Sequence, residues 1–179
     1  MEMLKTRQRP MPNLWFRLMA FEYRTRSRPQ DATSELITFG IEPGLRVLDF
    51  GCGPGRYAIP SAALVGPTGV VFAVDVHPLA IQAVEKAVAR EGLANVRTIH
   101  SDCATGLEHE SIDAVLLFDA LHDVEDKESV LAELRRVLKP KGRLLYKDHT
   151  LNGSRLLALM RENDFRPWGG PDVLSFVKC

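Results

Sequence analysis

The chain has 179 residues, 45% of them hydrophobic and 26% charged, with 23 basic and 23 acidic side chains that cancel at pH 7. That length suits one domain with a real core and is too short for a second full-sized one, so a substrate pocket has to be built largely from loops. The composition excludes the low-hydrophobicity, high-charge signature of disorder, and no apolar run approaches a membrane span.

The charge is unevenly spread. Residues 1–30 hold Lys5, Arg7, Arg9, Arg17, Arg24, Arg26 and Arg28 against Glu2 and Glu22, a local net of +5 that the remainder balances. Beside Trp15, Phe16 and Tyr23, these scattered arginines read as an amphipathic helix with a solvated face. A targeting peptide and a surface for an anionic partner are the competing readings. Cys52, Cys103 and Cys179 are an odd number without a CxxC pair or a zinc-finger histidine spacing, which points to a reduced, cytoplasmic protein.

After the basic arm, Asp31 can cap a short helix to Phe39, with Gly40 as its stop. Leu45 to Phe50 is an apolar, strand-like run that breaks into Gly51-Cys52-Gly53-Pro54-Gly55, followed by a helix from Arg56 to Val65. Val70 to Asp75 is almost wholly apolar, as in a strand covered on both faces. Pro78 opens a helix to Arg90 that Gly92 ends. Val96 to His100 and Ile112 to Phe118 read as further strands, and Asp126 or Lys127 to Leu138 as a helix before Pro140. Gly142 to Asp148 makes a fifth strand, Asn152 or Ser154 starts a last helix to about Glu162, and Phe165 to Trp168 with Val173 to Lys178 form a hairpin-like pair.

Repeated strand-helix units with right-handed crossovers predict an α/β fold: a Rossmann-like, doubly wound, mostly parallel sheet with an antiparallel C-terminal strand and helices on both faces. The expected organisation is a single domain, with residues 1–40 as a helical arm or lid and 41–179 as the ligand-binding core. Ligands bind such sheets beyond the carboxyl ends of the strands, which aligns Asp49 to Gly55, Asp75, Asp102 and Phe118 to Asp123 along one edge.

The spacing of that edge discriminates between ligands. Glycines 51, 53 and 55 let a ligand approach main-chain amides. A dinucleotide fingerprint requires glycine three positions after Gly53, where Arg56 stands, and no Gly-Lys-Ser or Gly-Lys-Thr of a P-loop occurs. Asp49 in the strand end suits an ammonium-bearing ligand better than phosphates. Asp75 can accept from both hydroxyls of a ribose, its bland alternative being a helix cap. Asp102 can accept from an exocyclic amine such as that of adenine, with the Cys103 amide facing a ring nitrogen.

Val47-Leu48-Asp49-Phe50-Gly51-Cys52-Gly53-Pro54-Gly55 resembles the first signature of class I S-adenosylmethionine-dependent methyltransferases. The resemblance continues through Val71 to Asp75, Ser101-Asp102-Cys103 and Ile112 to Val115, then Leu131 to Gly142, covering roughly residues 41–149 and the terminal hairpin. It implies S-adenosylmethionine as cofactor and S-adenosylhomocysteine as product. The Gly51 to Gly55 turn, Cys52 included, would back the methionine part, Asp75 would take the ribose, and Val76 would pack on the adenine. Asp102 would read the adenine amine, and the Phe118 carbonyl would face the methionine amino group. Lys141 departs from the family, which often has glycine there, and without an inserted lid the N-terminal arm would close the pocket.

Leu121-His122-Asp123-Val124-Glu125-Asp126 is similar to the catalytic histidine segment of small-molecule O-methyltransferases, which implies His122 as a base toward a hydroxyl, with Asp123 either orienting it or capping the next helix. Asp148 and His149, at the end of the fifth strand, can touch an acceptor or a metal, but the further ligands cannot be assembled from sequence and no metal site is expected. Within the class I family the chain is similar to the quinone-biosynthesis and arsenite methyltransferase-like group, although unmatched cysteine spacing argues against an arsenite methyltransferase itself. The expected activity is methyl transfer to a small-molecule acceptor, against two alternatives. One is a noncatalytic S-adenosylmethionine-binding or interaction domain. The other is an RNA or protein methyltransferase guided by the basic arm, disfavoured because Phe118-Asp119-Ala120-Leu121 lacks the Asn/Asp-Pro-Pro-aromatic pattern.

Overall fold

The computed structural model describes residues 10–18, 29–169 and 174–179; Tyr23, most of the basic arm and Val173 lie outside them. Residues 13–18 are helical (α1). They are followed by α2 (Pro29–Thr38), β1 (Arg46–Phe50), α3 (Ala58–Val65), β2 (Val70–Asp75), α4 (Pro78–Glu91), β3 (Val96–His100) and β4 (Ile112–Phe118). A 3₁₀ turn (Leu121–Asp123), α5 (Lys127–Val137), β5 (Leu138–Lys147), α6 (Gly153–Glu162), β6 (Phe165–Trp168) and β7 (Ser175–Lys178) complete the order.

The seven strands form one sheet in the order β3-β2-β1-β4-β5-β7-β6. Strands β1 to β5 pair in parallel, whereas β7 runs antiparallel to both β5 and β6. This is the doubly wound sheet with an antiparallel end that the strand-helix alternation predicts. The winding reverses between β1 and β4, which places the ligand crevice above their carboxyl ends.

Strand alternation divides the core in two. Leu48, Phe50, Val115 and Leu117 pack with Leu131 and Leu134 of α5 and with Leu156 and Met160 of α6. Val47, Ala73, Ala114 and Leu116 pack with Leu36 of α2, Ala58 and Ala62 of α3, and Val84 of α4. The helix α2 thus contributes to the same core as the strands. Burial on both faces explains why residues 70–74 of β2 and 114–118 of β4 read as unbroken apolar runs.

Several element ends differ from the sequence-based expectation, each for a local reason. Helix α2 starts at Pro29, so Asp31 lies in its first turn, where its charge faces the positive end of the helix dipole, rather than at the cap. Helix α3 starts at Ala58 because residues 55–57 are still part of the turn. The cap of α4 is His77, whose Nδ1 accepts from the Leu79 amide at 3.1 Å. Helix α5 runs directly into β5 at Leu138, four residues before the expected Gly142. The ladder steps from Ile112↔Leu138 to Ala114↔Arg143 across Pro140, Lys141 and Gly142, because a proline has no amide to give to the pairing. Lys141 is therefore an exposed residue of a strand irregularity.

Candidate active site

At the switch point, β1 ends in a turn that only glycine tolerates. Gly51 and Gly53 have φ of +77° and +50°. A Cβ on Gly51 would stand 2.5 Å from the Ala120 Cβ, so this backbone rests directly on the turn after β4; at Gly53 the same direction is open for 4 Å. The Gly53 amide donates to Asp75 Oδ2 at 2.8 Å and the His77 amide to Asp75 Oδ1 at 2.7 Å. Each carboxylate oxygen keeps a further lone pair for a ligand. Burial pushes the Asp75 carboxyl above its usual range, partly countered by these two amides.

A cavity of about 320 Å³ opens above this carboxylate. Of the residues predicted from sequence, Gly51, Cys52, Gly53, Asp75, Val76, Asp102 and Phe118 line it. Arg56, Tyr57, His77 and Asp119 line it too, as do Pro10, Met11 and Phe16 from the N-terminal side. The Phe16 ring stacks on His77 with centroids 4.4 Å apart.

Asp49, Gly55, Cys103 and His122 are not on the cavity wall. Asp49 shares strand parity with Val47 and faces the α3 side, where the Ala58 amide donates to it. Burial, followed by the charge of Asp75, raises its carboxyl to about 7. Gly55 packs toward Val84 and Ile59. The Cys103 amide is taken within its own turn, donating to Ser101 Oγ at 3.2 Å, while Ser101 and Asp102 face the cavity. Burial holds the thiol of Cys52 well above its usual range and that of Cys103 up to about 11, so both stay protonated at neutral pH.

His122 sits on the turn between the cavity-lining Ala120 and Asp123. Its Nδ1 lies 2.9 Å from Asp148 Oδ2, and its amide donates to the same oxygen at 3.3 Å. Asp123 Oδ1 is 3.5 Å from Nε2. The orienting carboxylate is thus Asp148, 26 positions away, rather than the adjacent Asp123. Burial alone would raise Asp148, but the Leu151 and Thr150 amides and His122 hold it below the usual carboxylate range. Beside this pair His149 Nδ1 meets Asp119 Oδ1 at 2.9 Å, and the two imidazoles stand edge to face at 5.1 Å. Asp119, Asp148 and His149 bring ligand-type atoms within 4.8 Å of one another, but the geometry is that of two hydrogen-bonded His-Asp pairs.

Sequence reasoning missed a second network beneath the cavity. Tyr57 donates to Glu35 Oε2 at 2.8 Å, and Lys147 donates to Glu35 Oε1 at 2.7 Å, tying α2, the turn before α3, and β5 together. Tyr57 also stacks edge-on against Phe118 at 4.7 Å. The available signal was position: Arg56 and Tyr57 directly follow the glycine turn at a strand-helix junction.

A methyltransferase-domain family profile matches residues 41–168, and the chain belongs to that family, the class I S-adenosylmethionine-dependent methyltransferases. A ubiquinone/menaquinone biosynthesis C-methyltransferase UbiE from Ectopseudomonas mendocina is 33% identical over 136 residues, covering 73% of this chain and 53% of the relative. The chain spans about half the length of the curated relatives it matches. Among solved structures, an S-adenosylmethionine-dependent methyltransferase from Aquifex aeolicus shares the fold at TM-score 0.74 and 22% identity, covering 89% of this chain and 95% of that one. An arsenic(III) S-adenosylmethionine methyltransferase from Chlamydomonas reinhardtii is 38% identical with TM-score 0.55, over 61% of this chain and 40% of its own.

Proposed function

We propose that this chain binds S-adenosylmethionine above the β1/β4 switch and directs its methyl group to a small acceptor with a ring hydroxyl, a phenol or quinol. The observation that carries the cofactor reading is the Asp75 carboxylate, fixed by two amides and facing a cavity with one lone pair per oxygen left over. The residues fit the group: two lone pairs match vicinal ribose hydroxyls, Gly51 and Gly53 permit close backbone approach, and no phosphate-binding pattern is present. The quinone-pathway relative supports the acceptor class.

When bound, the cofactor supplies an electrophilic methyl group on a cationic sulfur. The chain's own residues do the remainder. Asp75 takes the ribose, Val76 packs on the base, Asp102 accepts from the adenine amine, and the Phe118 carbonyl meets the amino group. The Phe16-His77 stack and the Tyr57-Phe118 contact exclude water, which strengthens each of these interactions. Asp148 holds His122 with its proton on Nδ1, leaving Nε2 as the basic lone pair. The imidazole stands on the turn between the cavity-lining Ala120 and Asp123 rather than on the wall itself, so it takes the hydroxyl proton of an acceptor seated at that turn; Asp148 stabilises the resulting imidazolium, and the acceptor's ring oxyanion is left as a nucleophile at oxygen or the adjacent carbon. Three free thiols accord with a reducing, cytoplasmic setting.

Isothermal titration with S-adenosylmethionine, followed by a tritiated-methyl assay over phenols and quinols, tests this. The parent should bind, and Asp75→Ala should weaken binding about 100-fold, as expected for losing two hydrogen bonds to a charged acceptor. Thermal melting of both proteins checks that the variant is folded. A parent that ignores the cofactor sinks the proposal, and binding without transfer to any acceptor would identify a noncatalytic binding domain.

A further inference from the structure

The helix α1 carries two opposed faces. Phe16 is buried against His77 on the cavity wall. Leu14 and Leu18, four residues apart and so on one side, are 68% and 52% exposed, and Trp15 beside them is 64% exposed. Met11, three residues before Leu14, continues this strip to the cavity wall, and Arg17 is exposed within it. A contiguous run of exposed leucine and tryptophan is an interaction surface rather than ordinary scatter. The sequence around it is basic, with a net charge of +5 over residues 1–30.

We propose that this strip docks on the headgroup layer of an anionic phospholipid bilayer. Leucines and a tryptophan settle at the boundary between headgroups and acyl chains while arginines bind lipid phosphates, so a bilayer satisfies both properties of the segment. A nucleic acid would use the arginines and leave Leu14 and Leu18 in water. A two-fold dimer through this face would pair the strip, exposed Arg17 included, with a copy carrying the same charge and no acidic partner for it. Docking brings the cavity wall formed by Pro10 and Met11 to the lipid surface. The inference does not depend on methyl transfer, since it rests on the exposed apolar face of α1 and the basic charge of the sequence around it.

The test is co-sedimentation of the full chain with vesicles of phosphatidylcholine, alone or with about one-third phosphatidylglycerol, at about 0.1 M salt. The parent should partition at least about ten-fold more strongly onto the anionic vesicles and lose this preference as salt rises. The double variant Leu14→Ser, Leu18→Ser should bind about ten-fold less, with unchanged melting and unchanged titration by S-adenosylmethionine. In a Trp168→Phe background, Trp15 emission should shift to the blue when anionic vesicles are added. Equal binding by the double variant, or equal binding to neutral vesicles, overturns the proposal. So does a dimer in analytical ultracentrifugation that dissociates in the double variant, because a second copy would then occupy the strip.

Discussion

His122 and Asp148 follow neighbouring strands, and their contact depends on the register Phe118↔Lys147, which sets the ends of β4 and β5 side by side. If His122 is the base, His122→Ala should lower turnover about 10²–10⁴-fold while cofactor affinity, measured by titration, changes little. Asp148→Asn should give a smaller loss in kcat because the imidazole keeps its place but loses the charge that stabilises its protonated form. Unchanged turnover in His122→Ala would make the histidine structural. Asp49 provides a stability test of a different kind. Its carboxyl is raised to about 7 from 3.8, so the folded state favours the protonated form. That contribution is complete below pH 4 and is lost as pH rises through 7. Asp49→Asn should therefore match the parent near pH 4 and exceed it by on the order of 3 kcal/mol at pH 8, read from urea midpoints.

At the scale of elements, the junction between α3 and β2 sets backbone close against side chain on two sides. A Cβ on Gly69 would stand 2.5 Å from the Val65 Cβ and 2.6 Å from the Leu45 carbonyl oxygen, and neither can move without displacing β1 or α3. Gly69→Ala should cost about 1–3 kcal/mol in urea unfolding. The elements themselves were legible in the sequence: β2, β3 and β4 have the bounds that the strand pattern predicts, and Gly92 ends α4 in a left-handed conformation with its amide on the Val88 carbonyl. Element ends were less legible where the deciding partner lies elsewhere in the fold. The early start of β5 requires the pairing Ile112↔Leu138, and nothing near Leu138 in the sequence signals it.

Across the whole molecule, the glycine turn, Asp75 and Asp102 were legible because each follows a strand end, and strand ends converge in any doubly wound sheet. Partnerships across the sheet were not. The Tyr57-Glu35-Lys147 network joins three elements, and Asp123 looked like the partner of His122 only because it is adjacent in sequence. The ligand contact expected of Asp49 differs from its position off the cavity wall for a related reason: parity places its side chain toward α3.

The position of β7 between β5 and β6 has a bearing on synthesis. Phe165–Trp168 leaves the ribosome before Ser175–Lys178, yet it has no place in the sheet until that later segment has docked on β5. Assembly of this margin therefore runs against the order of translation, and a nascent chain stalled short of residue 175 would present β5 as a bare edge, open to pairing with other chains.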